Sequence, residues 1–101
     1  MDRLALHSKL VEILGSPNVY FQPPPTMALQ FPCVIYRRDA KEEVYADNKL
    51  YNGKFRYRVT IVEKDPDSKT PTKLAEELEL TKYNTSYVSD GLYHEVYSVY
   101  Y

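Results

Sequence analysis

The pattern closest to catalytic chemistry in this 101-residue chain is acidic and involves Asp47, Glu63 and Lys64. A metal-dependent nuclease needs carboxylates that converge on a divalent ion beside a lysine. Glu63 and Lys64 are neighbours in sequence, however, and consecutive side chains of a strand point to opposite faces of the sheet. The three groups therefore do not converge without a bulge, and we expect no enzymatic activity.

The other side chains that could support catalysis or metal binding are few and scattered. Cys33 is the only cysteine, which excludes a disulfide within the chain, and with His7 and His94 it has no zinc-site spacing. Residues 63–68 bring three acids together but lack the glycine and the distal glutamate of a calcium loop. We therefore expect no metal and no cofactor. We interpret Cys33 as a small buried hydrophobe, His7 as a solvated helix residue and His94 as a surface or interface residue.

Arginine and tyrosine are the residue types that indicate binding. Arg56 and Arg58 alternate along a predicted strand and so share one face, as a nucleic-acid-binding sheet requires. The chain has 11 tyrosines, and tyrosine with arginine is also typical of protein interfaces. The formal net charge of -1 argues against nucleic-acid affinity driven by bulk charge. We favour a protein interface and keep a small nucleic-acid-binding module as the alternative.

The first element that must position these residues is an amphipathic helix over residues 2–14. Its apolar residues recur at helical spacing, Asp2 can serve as the N-cap, and Gly15 can end the helix in a left-handed conformation. The polar side chains expected to point outward are Arg3, Lys9 and Glu12.

Two strands are predicted to follow a short extended segment and a proline-rich loop. The β-branched and aromatic residues 33–38 indicate a core strand. Residues 55–64 alternate between apolar and polar positions, which indicates a strand with one face on the core. The side chains assigned to that core face are Phe55, Tyr57, Val59 and Ile61.

A second helix and a hairpin complete the predicted fold. The helix should begin near Pro71 with Thr70 as its N-cap, and Asp90-Gly91 favours a two-residue hairpin turn. The buried stripe of this helix is predicted to be Leu74, Ala75 and Leu78. The chain is therefore expected to be one domain over residues 1–101, an α+β fold whose mostly antiparallel sheet is covered by two helices and ends in a C-terminal hairpin. The predicted core is Leu6, Leu10, Ile13, Val34, Tyr36, Tyr57, Val59, Ile61, Leu74 and Leu78.

A tyrosine-rich segment over residues 42–51 is the predicted arm of a subunit or partner interface. It is too polar for the core, yet it carries apolar and aromatic side chains that a free monomer would expose at a cost. The arm residues predicted to make the contact are Val44, Tyr45, Asp47, Asn48 and Tyr51. The residues predicted to receive it on a neighbouring subunit are Arg56, Arg58, Tyr97, Tyr100 and Tyr101.

The order of these segments resembles the small neck proteins of long-tailed bacteriophages, which are called tail completion, tail terminator or head-tail joining proteins. The resemblance lies in "VEILGSPNVYFQPP", "FPCVIYRR", "YADN", "RYRVTIVEKDPDS" and the tyrosine-rich end of the chain. It implies a subunit of a hexameric ring that caps the finished tail tube and presents a surface to the head-side connector. A head-completion, or stopper-type, protein of the neck is the nearest alternative.

The resemblance also implies partners and a location. The expected partners are other copies of the chain, the tail tube protein and the head-side connector or stopper protein, while DNA passes through the ring without specific binding. The expected location is the neck of the virion, after synthesis in the cytoplasm of the host bacterium. No stretch of the sequence has the unbroken apolar character of a signal peptide or a membrane span, so no membrane partner is expected.

Overall fold

A computed structural model describes residues 3–39, 50–51 and 54–101 of the chain. Two helices and six strands follow one another along these residues. In chain order they are α1 (Arg3–Leu14), β1 (Val19–Phe21), β2 (Cys33–Arg38), β3 (Leu50–Tyr51), β4 (Lys54–Glu63), α2 (Thr70–Glu77), β5 (Thr81–Ser89) and β6 (Leu92–Tyr100).

Five of the strands form a sheet in the order β1-β2-β4-β6-β5, and the short β3 pairs with the start of β4. The β1–β2 pair is parallel, whereas the other pairs are antiparallel. Both helices pack on one face of this sheet through a shared apolar cluster. The predicted α+β class, with a mostly antiparallel sheet and a C-terminal hairpin, is confirmed.

The core lies between the helices and one face of the sheet, and its predicted composition is confirmed. All ten predicted core residues are at most 4% exposed. Strand pairing explains why they meet, since Val34 lies opposite Ile61 and Tyr36 lies opposite Val59. The structure adds Val19, Tyr97 and Val99 to the same cluster.

Phe55 does not join this core, although the alternation of β4 assigned it to the core face. Its side chain is 45% exposed, and the guanidinium carbon of Arg38 lies 6.0 Å from its ring centroid. The pairing of β2 with β4 ends at Arg38 and Tyr57, so Phe55 lies beyond the part of the sheet that the core cluster covers. Phe55, which the predicted core did not include, therefore stays outside because the apolar cluster ends before the strand does.

The first helix ends as predicted but presents a different polar face. Gly15 adopts a φ of 76°, and its N–H donates to the carbonyl of Val11 at 2.8 Å, which closes the C-terminus in a left-handed conformation. Arg3 and His7, expected to be outward and solvated, both contact the hydroxyl of Tyr36, with Arg3 Nη1 at 3.2 Å and His7 Nδ1 at 2.8 Å. A buried phenol needs a polar partner, and these two side chains provide it. The predicted N-cap, Asp2, lies outside the described residues.

The second helix begins one residue earlier than predicted, and its buried stripe is narrower. Its N-cap is Lys69 rather than Thr70, and the N–H of Thr70 donates to Ser68 Oγ at 3.2 Å. Leu74 and Leu78 are buried, but Ala75 is exposed. Residues four apart lie on one side of a helix, whereas the next residue is turned by about 100°. The side of the helix that contacts the core therefore includes Leu74 and Leu78, and Ala75 lies outside it.

The hairpin turn between β5 and β6 is confirmed. Asp90 and Gly91 have φ angles of 54° and 73°, as a type I′ turn requires. Near its other end the hairpin contains an irregularity, because the pairing register shifts by one residue between Tyr83 and Thr85. This bulge determines which side chains of β5 lie on which face of the sheet.

Candidate interaction surface

The face of the sheet opposite the helices, called here the open face, carries a row of basic side chains. Arg37 pairs with Arg58, Arg58 pairs with Ser98, and Ser98 pairs with Lys82. Directly opposed residues share a face, so the row crosses the sheet from β2 to β5 over about 14 Å, which is three strand spacings. The same face also buries a small apolar group away from the main core, consisting of Cys33, Val62 and Val96.

Beside this row is a polar groove of about 390 Å³, called here the basic groove. Its side chains include three cations and one carboxylate, so its formal charge is positive. The residues that line it are Asp39, Arg56, Arg58, Lys82, Asn84, Thr85, Ser98 and Tyr100.

Arg56 and Asp39 form an ion pair in the basic groove. Arg56 Nε lies 3.1 Å from Asp39 Oδ2, and the side chains are 18% and 6% exposed. The backbone N–H of Asp39 also donates to the carbonyl of Arg56 at 3.1 Å, so the carboxylate is fixed against β4. Much of the charge of Arg56 is therefore compensated within the chain, and the remaining positive charge of the groove comes from Arg58 and Lys82.

Arg58, unlike Arg56, forms no ion pair with another described residue. Its Nε is buried and has no hydrogen-bond partner among the described residues, although the side chain as a whole is half-buried. A buried donor without a partner destabilises the state in which it is left unsatisfied. An acceptor that entered the groove and reached this nitrogen would therefore be bound more strongly than one on an open surface.

The neutral groups of the groove come from the two strands of the hairpin. Asn84 Nδ2 donates to Ser98 Oγ at 2.8 Å, which links the bulge of β5 to β6. Tyr100 lines the groove with a half-exposed side chain, and its backbone N–H donates to the carbonyl of Leu80 at 2.9 Å. These groups add hydrogen-bonding capacity beside the cations without adding charge.

The predicted receiving residues thus divide into three groups. Arg56, Arg58 and Tyr100 meet in the basic groove. Tyr97 is instead a core residue that is 9% exposed, and burial raises the pKa of its phenol. Its ring lies edge-on to that of Tyr83, with 5.6 Å between the ring centroids. Tyr101 is half-buried against the core cluster, and its backbone exchanges two hydrogen bonds with Phe55. Tyr97 faces the helices because it is opposite Val59, which places it on the core face.

The predicted arm lies mostly outside the described residues. Val44, Tyr45, Asp47 and Asn48 belong to the part of the chain that the structure does not describe. The backbone of Tyr51 lies in β3, opposite Lys54. The role of these residues in an interface stays a prediction.

The helical layer on the other side of the sheet carries exposed acids. Lys9 Nζ lies 3.4 Å from Glu77 Oε1 and 4.0 Å from Glu12 Oε1, and the other cations of the two helices are Arg3 and Lys73. The acids, called here the acidic helix surface, are Glu12, Glu76, Glu77 and Glu79. The negative charge of this layer is concentrated at the end of α2, in Glu76, Glu77 and Glu79, and Glu79 borders Lys82 and Tyr100 at the edge of the positive groove.

The side chains that could support other chemistry lie apart from the groove. Cys33 is fully buried, as predicted, and burial raises the pKa of its thiol to about 11. His94 stacks on Tyr87 with 4.5 Å between ring centroids, and Glu63 accepts a hydrogen bond from Ser68. Within the described ranges, no three His, Cys, Asp or Glu side chains lie close enough together to hold a metal ion.

Comparison of the chain with protein-family models, with curated proteins and with solved structures finds no match. Neither of the two described helices is long and apolar enough to cross a membrane.

Proposed function

We propose that this protein is a structural subunit of a bacteriophage neck, one of the copies in a ring that terminates the tail tube and joins it to the head connector. The sequence resemblance suggests the family. The observation that carries the proposal is the division of charge between the basic groove on the open face and the acidic helix surface on the other side.

A closed ring requires each subunit to present two different, complementary surfaces, because the contact runs head to tail. Two different surfaces of opposite charge on one domain meet this requirement. A symmetric dimer made through either surface would instead bring like charges together, which costs free energy and suppresses that pairing. The charge arrangement thus supports ring formation over dimerisation.

In this role the protein acts by binding and not by catalysis. Its partners are copies of itself, in a ring of six by resemblance, together with the tail tube protein and the head-side connector or stopper protein. DNA passes through the ring without specific binding, and the assembled protein is located in the neck of the virion.

A mass measurement tests the proposal. Sedimentation velocity or native mass spectrometry of the purified protein, alone and with tail tube protein, should detect a species of about six times the 11.8 kDa chain mass. Binding to tail tube protein supports the terminator role, whereas binding only to the head connector supports the stopper-type role. A protein that stays monomeric with both partners and at all concentrations contradicts the proposal.

A small nucleic-acid-binding module is the second candidate, and the basic row is the observation that favours it. Three cations and the half-exposed ring of Tyr100 lie on one side of the sheet, as they would for contact with a single strand. Such binding would weaken linearly with the logarithm of the salt concentration. Fluorescence anisotropy with a labelled single strand at several salt concentrations separates this candidate from the ring.

A further inference from the structure

We infer that the basic groove binds the acidic helix surface of a second copy of this chain. The inference rests on the proposed ring and assigns the two surfaces through which its subunits meet. The ligand of the groove is then a set of protein carboxylates.

The groove has cationic groups left over for an incoming carboxylate. Asp39 is held by Arg56 at 3.1 Å, so the single carboxylate of the groove is already engaged. Arg58 keeps a buried Nε without a hydrogen-bond partner among the described residues, and Lys82 has an exposed side chain. A guanidinium binds a planar carboxylate through charge-assisted hydrogen bonds, and a nearby ammonium adds a second contact.

The acidic helix surface carries carboxylates whose charge is only partly compensated. Glu76 and Glu77 lie in the last turn of α2, which contains no basic residue. Carboxylates at this end of a helix face the negative end of the helix dipole, so a cation placed there is stabilising. Lys9 compensates part of this negative charge, since its Nζ lies 3.4 Å from Glu77 Oε1. No cation within the described ranges forms an ion pair with Glu76.

The two surfaces also match in size. The eight residues of α2 are about 12 Å long, close to the 14 Å or so of the basic row. Glu79, which follows α2, borders the groove of its own chain beside Lys82 and Tyr100. Glu76 and Glu77 belong to the helix that packs on the core face of the sheet, and among the described residues neither forms an ion pair with a cation of the groove. We therefore assign the carboxylates that fill the groove to α2 of another copy.

Charge distribution favours a second copy over nucleic acid. The chain has 14 acidic and 13 basic residues, so its overall charge does not attract a polyanion. The acidic helix surface would repel a nucleic acid, but it is the complement that the groove requires. Nucleic-acid binding at the groove is therefore an outcome that the experiment must be able to detect.

The experiment uses charge reversals on each surface of the full chain. Lys82→Glu reverses an exposed side chain of the groove, and Glu76→Lys with Glu77→Lys reverses the helix surface. Each variant should weaken self-association roughly tenfold or more, since removal of one member of an interfacial charge pair has effects of this size. Lys64→Glu, which reverses an exposed cation outside the groove, is the matched control and should assemble like the parent.

Mixing and combining the variants gives the sharper result. A mixture of Lys82→Glu with the Glu76→Lys, Glu77→Lys variant restores both contacts between unlike chains, because the reversed groove meets the reversed helix surface and the parent groove meets the parent helix surface. Sedimentation velocity should therefore show assemblies that form only when both variants are present. One chain with all three reversals should recover part of the parent's assembly, because the reversed side chain of the groove then faces reversed side chains on the helix. Parent assembly should also weaken as salt is raised.

The possible failures can be told apart. Rings that form equally well from every reversal variant overturn the inference and leave the proposed ring standing. A parent protein that stays monomeric with tail tube protein overturns both. Salt-dependent binding of a labelled single strand that Lys82→Glu abolishes, with self-association unchanged, assigns the groove to nucleic acid and overturns the inference. Thermal melting of each variant verifies that it is folded before assembly is measured.

Discussion

Replacing Tyr36 by phenylalanine tests the contact that ties α1 to the sheet. Tyr36 is fully buried, and its hydroxyl lies 2.8 Å from His7 Nδ1 and 3.2 Å from Arg3 Nη1. Phenylalanine keeps the ring in the core and removes only the oxygen, so the change leaves two polar groups of α1 without this partner. A typical hydrogen bond contributes about 1 kcal/mol net, and a bond to a charged group contributes about 1.5 to 3 kcal/mol.

The expected total is smaller than the sum of these values. Arg3 is only half-buried and also lies over the ring of Phe21, 4.2 Å from its centroid, so water can replace part of the lost contact. We therefore expect Tyr36→Phe to lower the free energy of unfolding by about 1 to 2 kcal/mol. For a domain of this size, that loss lowers the melting temperature by roughly 4 to 16 °C.

Urea unfolding followed by circular dichroism measures this change. Tyr20→Phe is the matched control, because its hydroxyl accepts one exposed hydrogen bond from the Gln30 N–H and its loss should cost less than about 0.5 kcal/mol. A double-mutant cycle of Tyr36→Phe with His7→Ala should give a coupling energy near 1 kcal/mol. Equal stability of Tyr36→Phe and the parent, or a coupling energy near zero, would refute the contact.

Three further predictions concern the core, the buried thiol and the hairpin turn. Ile61→Asp should unfold the domain because it puts a charge in the core, whereas Lys64→Asp, at an exposed position just after β4, should melt near the parent. Circular dichroism measures both melting temperatures, and an Ile61→Asp variant that melts like the parent would mean that the opposite face of β4 lies on the core. Burial raises the pKa of the Cys33 thiol from 9.0 to about 11. The folded state therefore holds its proton to higher pH, so stability should fall by about 2 kcal/mol as pH rises from 9 to 11. Urea unfolding of Cys33→Ala should lack this part of the fall, and an identical pH dependence contradicts it. Gly91→Ala should cost about 1 kcal/mol in urea unfolding because φ is 73°, and an unchanged stability would exclude the strained turn.

The main lines of the fold could be predicted because periodicity and turn chemistry are local properties of the sequence. Alternation in β4 and the type I′ signal of Asp90-Gly91 both predicted what the structure contains. The exposure of Phe55 and the error at Ala75 have a different origin. Each has a sequence position compatible with the core, but burial depends on how far the covering layer extends, which is a property of the packed domain.

The candidate site could be predicted only in part. The shared face of Arg56 and Arg58 follows from strand alternation, and the structure places both in the groove. Lys82 could not be assigned in this way. Counting back from the hairpin turn without a bulge would pair Lys82 with Val99, which is a core residue, whereas the observed register pairs it with Ser98 on the open face. Nothing in the local sequence marks the one-residue shift.

That one-residue shift also protects the outer edge of the sheet. Along β5, every residue after Thr81 is exposed, and no described strand pairs with its outer side. A long flat edge of this kind is a template on which strands of other chains can polymerise without limit. Bulges and lysines are two of the features that block such growth, and β5 has both, at Asn84 and Lys82. These features discourage association through backbone hydrogen bonds between strand edges. The remaining way to associate is through side chains on the two faces. Such contacts can stop at a fixed number of subunits and can be reversed by salt.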